Sequence, residues 1–297
     1  MATDAGTLLS IGVPAYVGDI SPTVASLARC PEAEHVRLIV HLDAGPGDPV
    51  AIEQGIASWP GPSTLLRADS HRGRAGSRNR LAQASTTPWI LLLDSDMRVG
   101  REDFLGRYLG EIQGAAASVV CGGFSLTGEL PPPHHRLHAA QARASECVPA
   151  SVRAREPGRY LFSANVLAHR DVLKELPFDE GFVGWGWEDV EWGLRVAERF
   201  PIRHIDNPAG HAGLDDDRAL LGKYRESVAN FGRLRDLHPR AARSLPLARA
   251  ARLLSVIPGT AGIEAAAGRL AASGLPIPVR LAALKVFRAA LYAQRRD

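Results

Sequence analysis

Trp89 to Gly100 reads WILLLDSDMRVG, an apolar run that ends in Asp94 and Asp96 with Ser95 between them. Two carboxylates this close repel unless a cation or hydrogen-bond donors compensate. A hard divalent cation prefers oxygen ligands and commonly links a protein carboxylate to phosphates. The alternative is a strand end whose aspartates start a turn or cap a helix, and a bare D-x-D is too short to choose. Glu188 and Asp189 form a second acidic pair, in FDEGFVGWGWEDVEWGLR. They should open a helix after a loop containing Gly181, Gly184 and Gly186. A helix N-terminus favours anions, so capping alone would account for them. Trp185, Trp187 and Trp192 bracket the pair. Their faces suit the C–H surface of a sugar ring, and equally a core.

The elements that must position these groups alternate. TLLSIGVPAY reads as a strand ending at Pro14, and SPTVASLARC as a helix with Ser21 as N-cap and Pro22 in its first turn. VRLIVHLDAG is a second strand, PVAIEQGIASW a helix, STLLRAD a strand, SRNRLAQAS a helix and WILLLD a fourth strand. This alternation predicts a mostly parallel sheet with helices on both faces. Near-continuous apolar strands fit a sheet buried on both sides. Ligands gather at the carboxyl ends of such strands, where Asp43 and Asp94 both fall. Further on, GELPPPHHRLH is a loop by its prolines, and RYLFSANVLAHRDVLKEL a strand then a helix. In EDVEWGLRVAERF, Val190, Leu194 and Ala197 share one helical face. IRHIDNPAGHAG is a short strand and turn, and a helix runs from Asp215 to about Arg235.

The stretch HRGRAGSRNRLAQASTTPWILLLDSDM resembles the nucleotide-sugar core of the family 2 glycosyltransferases, which have the GT-A fold. Family members show a glycine, an Ala-Arg-Asn-type triplet, a small residue and an apolar strand ending in D-x-D. Here these are Gly73, Ser77-Arg78-Asn79, Ala84 and Asp94–Asp96. LLSIGVPAY stands where the family has a strand ending in Pro-Thr-Tyr, with Ala15 in place of the threonine. LIVHLDAGPGD stands where it has Asp-Asp-Gly-Ser, with Leu42 in place of the first aspartate and Asp43 kept. The resemblance implies that Asp43 bonds the base, that Pro14 and Tyr16 line its pocket, and that Arg78 approaches the pyrophosphate. It implies that Asp94 and Ser95 contact the nucleotide sugar and that Asp96 binds a Mn²⁺ or Mg²⁺ ion. GT-A enzymes often complete that metal site with a histidine at the separation of His211. Carboxylate with imidazole suits Mn²⁺ better than an all-oxygen set. His211 in solvent on a turn is the alternative. His134 and His138 lie four apart, but the run Pro131–Pro133 argues against a helical ligand pair.

The pattern Gly-Trp-Gly-x-Glu-Asp is similar to the acceptor motif of galactosyl- and N-acetylgalactosaminyltransferases and of bacterial chondroitin-type polymerases. It implies that Trp185, Gly186, Trp187 and Glu188 bind acceptor hydroxyls and that Asp189 is the general base. In-line attack opposite the leaving nucleotide would invert the anomeric carbon, whereas a related motif serves a retaining enzyme in the polypeptide N-acetylgalactosaminyltransferases. The donor favoured is a UDP-sugar, and the acceptor a glycan, a lipid-linked molecule or a small metabolite. A noncatalytic binding relative and a nucleotidyltransferase on a similar sheet are the rival readings. A D-x-D phosphatase would place a threonine where Arg98 stands.

The resemblance covers about residues 7–235. The expected organisation is a catalytic domain over 1–240, with a nucleotide-sugar half (7–100) and an acceptor half (101–240), and a helical C-terminal extension over 241–297. In the last helix Leu281, Leu284, Phe287 and Leu291 form a stripe, with Arg280, Lys285 and Arg288 away from it. The stripe suits a membrane surface, a second subunit or the core. At net charge +3, a nucleic-acid partner is not expected. Cys30, Cys121 and Cys147 show no CxxC spacing, which fits a reducing, cytoplasmic location, with the inner face of a membrane as the place of any peripheral contact. MATDAGTLLSIGVP has no basic start before a long apolar stretch, so no signal peptide is expected.

Overall fold

The computed structural model describes residues 8–126, 128 and 131–294. The readings that fall on Met1–Thr7, Thr127, Glu129, Leu130 and Arg295–Asp297 lie outside the described residues. Two compact units divide the chain: Met1–Thr127, Glu146–Gly181 and Glu188–Gly213 form the first, and Gly128–Ser145, Phe182–Trp187 and Leu214–Asp297 the second.

The first unit begins with β1 (Leu9–Ala15), α1 (Ser21–Leu27), β2 (Arg37–Leu42), α2 (Pro49–Ala57), β3 (Ser63–Arg67), α3 (Gly73–Ala84), β4 (Trp89–Leu93), β5 (Met97–Arg98) and α4 (Phe104–Gly114). The helix caps follow side-chain chemistry. Asp48 accepts from Val50 N at the start of α2, ahead of Pro49. At α1 the expected cap at Ser21 is displaced: Asp19 Oδ1 accepts from Ser21 N at 2.7 Å, and Ser21 is the first helical residue. The carboxylate two residues earlier thus satisfies the amide of the first helical residue.

Seven strands form one sheet in the order β3-β2-β1-β4-β8-β6-β9, with β6 at Val119–Cys121, β8 at Asn165–His169 and β9 at Ile202–His204. β8 runs antiparallel to both β4 and β6, and the other pairings are parallel. The sheet is mixed α/β and mostly parallel, as the alternation predicts. Its two faces feed separate cores. Leu91 and Leu93 of β4 join Ile11, Val13, Val24 and Phe104 on one side. Ile90 and Leu92 join Leu81, Val166 and Trp192 on the other. That is the period-two alternation of a strand with both faces covered.

A second, three-stranded sheet has the order β5-β10-β7, with β7 at Phe124–Leu126 and β10 at Ala209–His211. His211 lies opposite Met97 there. Short helices α6 (Ala150–Arg153) and α7 (Arg170–Glu175) precede α8 (Glu188–Arg199). The buried face of α8 holds Glu188, Trp192 and Val196, not the expected stripe of Val190, Leu194 and Ala197. Trp192 decides this. It is fully buried, stacks on Phe178 at 4.4 Å, and donates Nε1–H to Leu176 O.

The second unit is helical: α5 (Arg136–Ser145), α9 (Asp217–Leu237), α10 (Pro239–Ser244), α11 (Pro246–Ser255), α12 (Thr260–Ala271) and α13 (Ile277–Ala293). Of GELPPPHHRLH, read as a loop, Arg136, Leu137 and His138 instead open α5, directly after a single 3₁₀ turn at Pro133–His135. On α13, Leu284, Phe287 and Leu291 of the stripe are buried, so of the three uses it suits the structure takes the core rather than a membrane surface. Arg280, expected away from it, is buried too. It pairs with Asp217 of α9 and donates Nε–H to Ala271 O. Arg288 lies over the Tyr224 ring at 4.2 Å. The helix is packed on more than its apolar stripe, so its arginines enter the packing. No described helix is long and apolar enough to cross a membrane.

Candidate active site

In the order β3-β2-β1-β4 the chain moves outward from β1 to β3, then returns to the other side of β1 for β4. A crevice opens at the carboxyl ends of strands at such a reversal. Pro14 lies near the end of β1 and Tyr16 just past it, Asp43 follows β2, and Asp94 follows β4. The parallel pairing of β1 with β2 and β4 sets these ends side by side. Met97 N donates back to Asp94 O at 3.1 Å, and Thr23 Oγ donates to Ser95 O, so the Asp94–Ser95–Asp96 turn is fixed by its backbone.

Asp43 is 3% exposed. Its carboxylate accepts from the backbone N–H of Ala44, Arg72 and Gly73 at 2.7–2.9 Å, and Oδ2 lies 3.0 Å from His71 Nδ1. It ties the turn after β2 to the entry of α3. Tyr16 is 45% exposed, with its ring 4.9 Å from that of His71. A Cβ on Gly45 would stand 2.2 Å from the Tyr16 ring, so only glycine lets the tyrosine lie over this turn. His71 thus contacts both the Tyr16 ring and the buried carboxylate.

Two arginines one turn apart on α3 link the acidic pairs. Arg78 Nη2 donates to Asp94 Oδ1 at 2.7 Å, and its Nη1 to Glu188 Oε1 at 3.4 Å. Arg74 Nε donates to the same Glu188 oxygen at 2.6 Å, and its Nη2 to Asp94 Oδ2 at 3.3 Å. Arg78 is 1% exposed, whereas the Arg74 side chain is 40% exposed. The buried guanidinium braces the carboxylates and the open one presents charge to solvent. Burial works against ionised Glu188, but Arg74 and Arg78 win and hold its carboxyl below the usual range. Asp189 goes the other way. Burial and the adjacent Glu188 charge raise it to about 7, despite both arginines. Neighbouring carboxyls with pKa values driven apart are the mark of a divided acid–base pair.

Asp96 Oδ2 lies 3.2 Å from His211 Nε2. The three-stranded sheet sets this contact: β10 pairs with β5, and Ala212 N donates to Asp96 O at 3.0 Å. A Cβ at Gly213 would stand 2.1 Å from Asp96 Oδ2, so the carboxylate is seated against backbone that only glycine allows. Burial disfavours both charges, yet the mutual hydrogen bond lowers Asp96 and raises His211. The pair fits a divalent cation by donor type, one oxygen and one imidazole nitrogen converging on one point. Among the described residues no third His, Cys, Asp or Glu completes a metal cluster. A divalent cation held there would draw the rest of its shell from phosphate oxygens and water.

In the second unit the loop Phe182–Trp187 is held by α9. Asn230 Nδ2 donates to the carbonyls of Val183 at 3.0 Å and Gly186 at 2.9 Å. Trp185 meets Tyr224 edge-on at 5.4 Å. Trp187 takes φ +77, uncommon for a residue with a Cβ, and packs at 5.0 Å on Phe231. Its Nε1–H points to Tyr292 Oη at 3.3 Å on α13.

A model of the family described as glycosyl transferase family 2 matches residues 10–176, more than half of the chain. The chain is a family 2 glycosyltransferase. No curated protein sequence matches it significantly. Many solved structures resemble this glycosyltransferase, among them three with bound nucleotides. The mannosyltransferase PcManGT from Pyrobaculum calidifontis, in complex with GDP-Man and Mn²⁺, has TM-score 0.59 and 17% identity over 99% of this chain and 88% of that one. S. aureus TarS 1-349 in complex with UDP has TM-score 0.57 and 12% identity, covering 96% and 89%. Glucosyl-3-phosphoglycerate synthase from Mycobacterium tuberculosis, in complex with Mn²⁺, UDP-glucose and phosphoglyceric acid, has TM-score 0.53 and 17% identity, covering 78% and 81%. At these identities the likeness is one of fold, and the fold is GT-A.

The family 2 enzyme has site neighbours that sequence reasoning missed. Arg74 bridges Asp94 and Glu188, and His71 faces both Asp43 and Tyr16. Asn79 donates Nδ2–H to Phe178 O and Glu180 Oε1 and accepts from Phe178 N, anchoring the segment that leads to the acceptor-type loop. The signal for Arg74 was available: it precedes Arg78 by four residues on a helix, so both reach the same groups.

Proposed function

We propose that this glycosyltransferase moves a sugar from a UDP-sugar donor to an acceptor hydroxyl, with inversion, and that Asp189 is the base. The observation that carries this is the cluster at the ends of β1 and β4, where Arg74 and Arg78 join Asp94 to Glu188. Nucleotide complexes of fold neighbours support the donor class: UDP for TarS, UDP-glucose and GDP-Man for the other two. Each role below belongs to this proposal.

Tyr16 and His71 border the base, with Pro14 behind, and Asp43 sets the turn that carries them and accepts from the base. Asp94 and Ser95 meet the ribose and sugar. Arg78 holds Asp94 in position, and Arg74, the exposed member of the pair, turns its charge to the diphosphate. Asp96 and His211 would hold Mn²⁺ or Mg²⁺, and a bound ion there would neutralise the diphosphate as it leaves. Trp185, Gly186 and Trp187 bind the acceptor, as does Glu188, which stays ionised. Asp189 accepts the proton of the acceptor hydroxyl, and the oxygen attacks the anomeric carbon from the side opposite the nucleotide. The carbon–oxygen bond to the diphosphate breaks and the nucleoside diphosphate departs with that electron pair. A base poised near neutral pH suits this task.

The direct test is Asp189→Asn. Donor binding should persist while transfer falls by roughly 10²–10⁴, the usual worth of general base catalysis. Full transfer activity in that variant would remove the base assignment.

A further inference from the structure

The proposed transfer assigns no role to the arginine-rich part of the second unit. From Leu237 to Ile263 the chain carries Arg240, Arg243, Arg249 and Arg252 and no acidic residue. A cavity of about 460 Å³ lies there, lined by residues of α9, α10, α11 and α13. Phe231 and Tyr292, both buried and stacked at 4.5 Å, line it together with Ala251. Arg243, Arg249 and Arg252 also line it and are exposed. The cavity therefore has an apolar floor and a cationic rim.

Large apolar side chains stand outside the packing on the same segment. Leu253 is 72% exposed, Val256 80% and Ile257 42%. Leu253 follows Arg249 by four residues and Val256 follows Arg252 by four, so cations and apolar groups share one face of α11 and its end. Among the described residues, nine of the twelve exposed large hydrophobic ones belong to the second unit. Apolar exposure mixed with unopposed cations marks a contact surface.

We propose that this face docks on an anionic phospholipid bilayer. Arg243, Arg249 and Arg252 meet headgroup phosphates, and Leu253, Val256 and Ile257 enter the acyl boundary. Charge complementarity selects this occupant. Nucleic acid would satisfy the arginines but offers nothing to three protruding apolar side chains. A two-fold copy of the chain would set arginine against arginine. The inference is independent of the transfer proposal, because none of these residues belongs to that machinery.

The test is co-sedimentation of the full chain with phosphatidylcholine vesicles, with and without phosphatidylglycerol. Binding should require phosphatidylglycerol and weaken with salt. Arg243→Glu, Arg249→Glu and Arg252→Glu should each weaken partitioning, with roughly fivefold lost for every arginine removed from an anionic surface. Leu253→Ser with Val256→Ser should weaken it at unchanged salt dependence. Unaltered circular dichroism and donor binding would show these surface variants to be folded. Each of these results would overturn the proposal: equal binding to neutral vesicles, no effect of the serine pair, release by inorganic phosphate at matched ionic strength, or equal affinity for duplex DNA of the same charge. Dimerisation of the intact protein that the glutamate variants abolish would overturn it in favour of a second copy.

Discussion

Asp189 concentrates the chemistry proposed at the residue scale. Its carboxyl must be ionised to take a proton, and burial with the Glu188 charge raises it to about 7. The kcat/KM of transfer should therefore rise with pH through about 7 and level above it, since this constant reports the free enzyme's groups. A rate already flat from pH 5 upward would contradict the assignment. The two arginines separate just as sharply. Arg78 is buried against Asp94 and Glu188, so Arg78→Ala leaves carboxylates without their brace and should cost about 3–5 kcal/mol in urea unfolding. Arg74 is only partly buried, so Arg74→Ala should lower stability less. It should weaken donor binding by about 1.5–3 kcal/mol, the worth of a hydrogen bond to a charged group. Equal stability losses in the two variants would refute this division.

At the scale of elements, Trp192 shows where periodicity misleads. The fully buried indole contributes to the core under the sheet. Trp192→Ala should cost about 3–5 kcal/mol of stability in urea unfolding. A fall in acceptor affinity at full stability would argue the opposite. Of the elements up to β4, the strands β1, β2 and β4 were legible because each is short, bounded by turn residues and apolar on both faces. Asp43, Asp94 and Asp96 were legible because they end such strands. α8 was not. Its apolar stripe at Val190, Leu194 and Ala197 looks like a core face, but partners distant in sequence, Phe178 and the carbonyl of Leu176, select Trp192 instead. The pairing of β5 with β10 was equally hidden, since two- and three-residue strands carry no pattern. That pairing is what brings His211 to Asp96. Asp96 and His211 were readable as types, but their convergence was not.

For the whole molecule, the C-terminal helices are more than an appendage in sequence. Tyr292 of α13 takes Ser227 and Trp187 as hydrogen-bond partners, and Phe231 stacks on it. A loop read as the acceptor site thus depends on the last helix. Truncation after Pro276 should speed hydrogen exchange at Val183–Trp187, while exchange in β1 and β4 stays slow. Unchanged protection in the loop would show that α13 does not hold it.

The central claim is that the end of β4 is a cation-assisted nucleotide-sugar site. Calorimetric titration of a UDP-sugar with Mn²⁺ tests it most directly. Binding should be saturable, should disappear with excess chelator, and should be weakened at least tenfold by Asp96→Asn, a loss of about 1.4 kcal/mol or more. Binding of equal strength with chelator present, and unchanged in Asp96→Asn, would contradict the account.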